Sequence, residues 1–309
     1  MRLERSSARD VALGCCARAA WYAFDVPCGR WTRSSDGASA AWAGEMRDEL
    51  DVAALCSSSS RAEDAFEAAL IRSGASMTWH VRGRALDAHL ERTRDELARL
   101  GAPSAVRAAG LGHSAYGSEL FPVAFARLRD RRGVREVVGE IAERLMFVYG
   151  TASQRAWYRE AARWDGRLRV GFRAVNFYTG KSVVLSDSLA GLVTLMHAAD
   201  ILAVLEPERG VVSTAVGFAL HLIRVAADML SAAASAVESR PLEEWASKLR
   251  DEALDDVTKR MARLDESSAS WSAADVRSLR EAAVARAVRR VAETRWDLLM
   301  VCRATGVLR

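Results

Sequence analysis

The chain has 309 residues, 50% of them hydrophobic, enough to bury a substantial core as one large domain or two ordinary ones. Its 44 basic and 40 acidic side chains are mixed along the same segments and leave a formal charge of only +4, which is a solvated surface with no basic footprint for nucleic acid. Only 5 prolines and 20 glycines stand among many Ala, Leu, Arg and Glu residues, whose unbranched side chains lose little rotamer freedom in a helix, so the expected fold class is all-α.

Residues 1–61 contain Ser-rich pieces, SSDGAS and CSSSS, with no sustained period of 3.6 or 2, and read as a poorly ordered extension. Trp21, Trp31 and Trp42 are the side chains through which part of it could dock. The five cysteines, Cys15, Cys16, Cys28, Cys56 and Cys302, are odd in number and lack C-x-x-C spacing, the pattern of reduced intracellular thiols. No clean apolar segment with a small-residue cleavage site marks a secretory signal. The most apolar long run, Val211 to Val237, is interrupted by His221, Arg224 and Asp228, each costly at a bilayer centre. A cytoplasmic protein with no membrane span is expected.

From Ala62 the helical signal strengthens. DAHLERTRDELARLGAP reads as an amphipathic helix with Leu90, Leu97 and Leu100 near one face, ended by Gly101 and Pro103. The next helix starts at Pro103, where the missing N–H costs nothing, and delivers His113 at its far end. GVREVVGEIAERLMFVY reads as a third helix ending at Gly150. RLRVGFRAVNFYTGKSVVL places β-branched and aromatic residues on both sides of Thr179-Gly180 and predicts a small hairpin or extended loop. Ser186 or Asp187 can cap SLAGLVTLMHAADILAVLE, which carries His197 and Asp200. Three more helices follow, at about 211–238, 241–264 and 272–303. The predicted organisation is the extension, a helical domain over 62–206 and a helical C-terminal region over 207–309. The arginines of the last helix read as a solvated face.

Several chemistries are excluded. A phosphate loop over Tyr178-Thr-Gly-Lys-Ser182 would need glycine at position 175, which is Val175. No G-x-S-x-G elbow exposes a nucleophilic serine, and no Cys/His cluster builds structural zinc. The five histidines, His80, His89, His113, His197 and His221, are more informative. His89 and His113 lie on, or at the end of, consecutive helices, and antiparallel pairing of these helices can bring the two imidazoles together. His197 and Asp200 are three apart on one helix and share a face. Lone histidines at helix ends more often cap carbonyls, and His221, in an apolar stretch, suits that ordinary role. Asp200 is flanked by Ala198, Ala199, Ile201 and Leu202, and the burial this implies would not tolerate an unpaired carboxylate.

These segments together resemble the HD-domain superfamily of helical metal-dependent phosphohydrolases, in particular the hydrolase half of bifunctional guanosine tetraphosphate synthetase/hydrolases. A closer likeness is to an uncharacterised bacterial family with the patterns H-x-x-x-x-L-x-x-H-L-x-x-T, A-G-L-x-H-S-x-Y-G and I-G-E-x-A-E-R-L. They correspond here to His80–Thr93, with spacing stretched by Arg84-Ala85, to Ala109–Gly117 and to Val138–Leu145. The resemblance covers about residues 75–206 and implies an HD-domain-like helical bundle with a metal on His89, His113 and Asp200. Ser114 stands where the superfamily has its paired aspartate, and a neutral hydroxyl is a poor ligand for a hard cation. His80, His197 or Glu119 could supply the missing donor, and a histidine-rich site suits Fe, Mn or Zn better than Mg.

In such an enzyme a metal-activated water is the nucleophile, Glu119, Glu140 or Glu143 is the base, and Tyr116 hydrogen-bonds the substrate or that water. The function implied is a phosphohydrolase of a nucleotide-like or other phosphorylated small molecule. Two alternatives stand beside it: an HD-fold non-haem iron oxygenase in specialised metabolism, and a non-catalytic HD relic that binds a ligand or partner. A small-molecule substrate is expected, and a homo-oligomer is compatible with the sequence.

Overall fold

The computed structural model describes residues 86–264, apart from 120, 122–123, 127, 129–130, 165–170 and 205–213, together with 42, 46, 50–51, 54–55, 63–64 and 66–67 upstream. The fold is mostly α, with one small antiparallel sheet among the described residues.

Helix α1 (Leu86–Arg99) buries Leu86, His89, Leu90, Thr93 and Leu97, a stripe with steps of three and four that turns one face inward. Gly101, with φ +71, and Pro103 make the tight link to α2 (Ser104–Leu111), whose small residues let it lie close against α1. The third predicted helix is two. Gly139 takes φ +85, which favours glycine, and it separates α3 (Arg131–Val138) from α4 (Glu140–Thr151). Apolar residues recur at helical spacing on both sides of this break, so the pattern alone does not reveal it.

Helix α5 (Gln154–Arg163) was not foreseen. The Ser153 hydroxyl caps it by accepting the Ala156 N–H at 3.3 Å, and its Trp157, Tyr158 and Ala161 are buried. Strands β1 (Arg173–Val175) and β2 (Ser182–Val184) form the expected hairpin, with Ala174 opposite Val183 on the buried side. Asn176 Oδ1 accepts the N–H groups of Tyr178 and Thr179 to build its turn.

Helices α6 (Asp187–Val204) and α7 (Thr214–Ala236) pack along each other, and α6 also touches α1, α2 and α4. Helix α8 (Arg240–Lys248), with Pro241 in its first turn, passes through a π turn at Leu249–Ala253 into α9 (Leu254–Leu264). Both α6 and α7 are long and apolar enough to cross a membrane, but most of each is buried inside the protein, which accounts for their composition. One hydrophobic cluster runs through α1, α2, α4–α7 and on into α8 and α9, continuous across position 206.

At the residues described, part of the N-terminal segment docks on the domain. Trp42, Met46, Leu50 and Leu55 are buried in this cluster. The Trp42 indole donates to Thr151 Oγ1 at 2.8 Å, and the Leu50 N–H donates to Ser188 Oγ at 3.3 Å. Trp21 and Trp31 lie outside the described residues, as does the predicted helix at 272–303.

A Cβ added at Gly150, inside α4, would stand 2.7 Å from the Gly117 carbonyl oxygen and 3.1 Å from Tyr116 Cβ. Gly150→Ala is therefore expected to destabilise the protein by about 1–3 kcal/mol from overpacking, despite alanine's better helix propensity. A thermal melt checks this, and an unchanged or higher midpoint would contradict the close approach of the two segments.

Candidate metal centre

Three elements bring their polar groups to one point. His89 projects inward from α1, His113 sits just past the end of α2, and Asp200 faces them from the last turn of α6. Their ligand atoms all lie within 4.8 Å of one another. Asp200 Oδ1 is 2.9 Å from His89 Nε2 and 3.8 Å from His113 Nε2, and the two imidazoles meet edge to face with centroids 5.2 Å apart. Both histidines are 4% exposed and Asp200 is 19% exposed, so access is from the carboxylate side.

The protonation pattern follows from the partners. His113 Nδ1 lies 2.8 Å from the Gly110 carbonyl oxygen, which can only accept, so the proton is on Nδ1 and Nε2 keeps its lone pair. Burial lowers the His113 pKa to about 4 and thus keeps the ring neutral at physiological pH. Burial alone would raise the Asp200 carboxyl. The hydrogen bond from His89, the neighbouring His113 and the Tyr149 hydroxyl outweigh it and hold the group below the usual carboxylate range. Tyr149, on α4, donates its hydroxyl proton to Asp200 Oδ2 at 2.7 Å and accepts Gln154 Nε2 at 3.1 Å.

His197, one turn before Asp200, is fully buried and lies behind Tyr149, its ring tilted 30° from that of the tyrosine with centroids 4.4 Å apart. Trp157 and Tyr158 enclose it, and the Tyr158 hydroxyl is 3.4 Å from its Nδ1. Burial lowers its pKa to about 3. It supports the centre from behind and is not one of the three converging groups.

The donor set suits a divalent ion. Two imidazole nitrogens and one carboxylate oxygen are borderline ligands for Fe, Mn or Zn. Separations of 2.9 and 3.8 Å bracket the roughly 3–3.5 Å between adjacent ligands of an ion bound at about 2.1 Å. His89, His113 and Asp200 could therefore hold a metal ion. Ser114, next to His113, is buried at 2% exposed and brings no carboxylate to the set.

The other residues singled out in the sequence lie elsewhere. His80 is outside the described residues. Glu140 is exposed at the start of α4. Glu119 fastens the start of α5, accepting from Ser153 Oγ at 3.0 Å and the Arg155 N–H at 3.2 Å and pairing with the Arg155 guanidinium at 3.3 Å. Glu143 is fully buried and accepts from Arg131 at 2.6 and 2.8 Å, Arg135 at 3.0 Å and the Tyr116 hydroxyl at 2.8 Å. Its lone pairs are committed to two guanidiniums and a phenol, so Glu143 locks α3 and the Tyr116 segment onto α4, away from the His89, His113 and Asp200 group. His221 plays the ordinary role expected of it, with Nε2 2.8 Å from the Ala161 carbonyl oxygen. Tyr149 and Gln154 were missed: Tyr149 closes a helix read as ending at Gly150, Gln154 lies just beyond it, and a tyrosine on an apolar helix face looks like core.

Two predictions follow from these environments. Unfolded histidines titrate near 6.5, whereas His113 and His197 stay neutral in the fold down to about 4 and 3. The unfolded chain thus binds more protons below 6.5, and the stability of the metal-free protein should fall as pH drops from about 6.5 to about 4. Melts across that range should show a shallower fall for His197→Phe, and identical slopes would contradict a neutral buried His197. Glu143→Ala leaves two guanidiniums facing an empty pocket and is expected to cost about 3–5 kcal/mol. Denaturant unfolding measures it, and a loss below 1 kcal/mol would contradict the lock.

Residues 69–154 match a family model described as a domain of unknown function, DUF6817. The matched stretch contains His89 and His113, together with Tyr149 and Gln154, and stops before Asp200. No curated protein and no solved structure matches the chain.

Proposed function

We propose that the protein is a metal-dependent hydrolase of HD type acting on a nucleotide-like or other phosphorylated small molecule. The observation that carries this reading is the convergence of a tautomer-fixed His113 lone pair, His89 and Asp200 Oδ1 on one partly accessible point. A divalent ion held there by His89, His113 and Asp200, with one carboxylate only to neutralise it, would keep net positive charge and would supply the chemistry of lowering the pKa of water while attracting an anionic phosphoryl group.

The chain's own residues set the conditions. His89 and His113 present nitrogen donors and Asp200 an oxygen donor. For His89 to act as a ligand, its Nε2 must be free of the proton that makes the 2.9 Å contact with Asp200. His197, Trp157, Tyr158 and Phe172 form an aromatic wall that excludes water from behind, leaving the Asp200 edge as the approach. A second reading, an HD-fold non-haem iron oxygenase, is favoured by the donor set itself, because two histidines and one carboxylate with remaining positions open is how such iron is held.

Elemental analysis of protein purified without chelator tests both. About one divalent ion per chain is expected, and its loss in His113→Ala. Phosphate release from phosphorylated small molecules supports the hydrolase, whereas oxygen consumption by an iron-loaded protein replaces it with the oxygenase. Absence of stoichiometric metal in the intact protein would sink both and leave a ligand- or partner-binding relic.

A further inference from the structure

We propose that Tyr149 is a positioning residue that fixes how Asp200 binds the metal: its hydroxyl occupies Oδ2, so the carboxylate offers Oδ1 alone and one more coordination position stays available to water or substrate. The inference rests on the metal reading above and adds to it the mode of carboxylate coordination.

A carboxylate can ligate a cation with one oxygen or chelate it with both. Here the two oxygens of Asp200 have different partners. Oδ1 faces His89 at 2.9 Å and His113 at 3.8 Å, and Oδ2 accepts the Tyr149 hydroxyl at 2.7 Å. The direction of that bond is determined by proton counting. An ionised aspartate only accepts, so the single phenolic proton goes to Oδ2, and the phenol oxygen must then accept the bond from Gln154 at 3.1 Å. That requirement also sets the orientation of the Gln154 amide, with Nε2 toward the phenol. Its Oε1 is consequently left, like His197 Nε2, without a hydrogen-bond partner among the described residues.

Tyr149 has little freedom to release its bond. Its ring lies between His197, at 4.4 Å, and His113, at 5.0 Å, and the next residue, Gly150, is pressed against Gly117. Because the tyrosine is on α4 and the ligands are on or beside α1, α2 and α6, it acts as an independent stop behind the carboxylate. With Oδ2 held back, the three donors gather on one side and the opposite side is left for exchangeable ligands.

Infrared difference spectra of zinc-loaded minus metal-free protein read the carboxylate mode directly. The separation between the antisymmetric and symmetric stretches is wider than in a free carboxylate when one oxygen binds, and narrower when both do. The wild type is expected to show the wide separation. Tyr149→Phe, which keeps the ring and its stacking, is expected to shift to the narrow one, while Gln154→Leu, which leaves the hydroxyl bond in place, keeps the wide one. A narrow separation in the wild type, or a wide one in Tyr149→Phe, overturns the proposal. The wild-type spectrum alone can overturn it if the phenylalanine variant does not fold. Failure of the wild type to take up zinc is a different result, since it removes the metal reading itself and this inference with it.

Discussion

The organisation of this molecule depends on one ionised carboxylate set near the end of an apolar helix. Helix α6 is hydrophobic all round, and a lone charge there would be expensive to desolvate. Asp200 is sustained because His89, His113 and Tyr149 reach it from three other elements. The demand runs in both directions: the carboxylate requires α1, the end of α2 and α4 to converge, and their polar groups, otherwise stranded in the core, require the carboxylate. The candidate metal centre is thus also a junction of the fold, and Trp42, bonded to Thr151 at the end of α4, ties the N-terminal segment to the same junction.

A second buried carboxylate shows how different the outcome can be. Glu143 is more deeply buried than Asp200, yet its neighbours are two guanidiniums, which are permanently charged and cannot be metal ligands. Asp200 is surrounded by imidazoles and a phenol, groups that exchange protons and whose nitrogens can coordinate. The two carboxylates are separated in role by the chemistry of their partners.

Much of this was legible in the chain. The consecutive helices around His89 and His113, the apolar helix with Asp200 and the hairpin at Thr179-Gly180 follow from periodicity and from glycine and proline placement, and so does the pairing of the two histidines; the choice of Asp200 over His197 as the third group came with the HD resemblance. What periodicity could not supply was partner identity. Glu143 reads as a candidate base until Arg131 and Arg135 are seen to fold back on it from beyond Gly139, a bend hidden by continuous apolar spacing. Tyr149 reads as core because a helix face records that a side chain is inside and says nothing of what its hydroxyl meets.

The break at Gly139 has a consequence for how the protein comes apart. Helix α3 buries only Val138, so little hydrophobic area holds it down. It is fastened to α4 through Arg131 and Arg135 on Glu143, with the Arg131 guanidinium lying 3.7 Å from the centre of the Phe147 ring. An element attached by charge more than by burial is the natural first unit to open, well before the global transition. Lifting either arginine leaves the other to compensate a carboxylate with no access to water. Helix α3 is thus held to α4 mainly by two charged contacts on one carboxylate, which the Tyr116 hydroxyl also reaches.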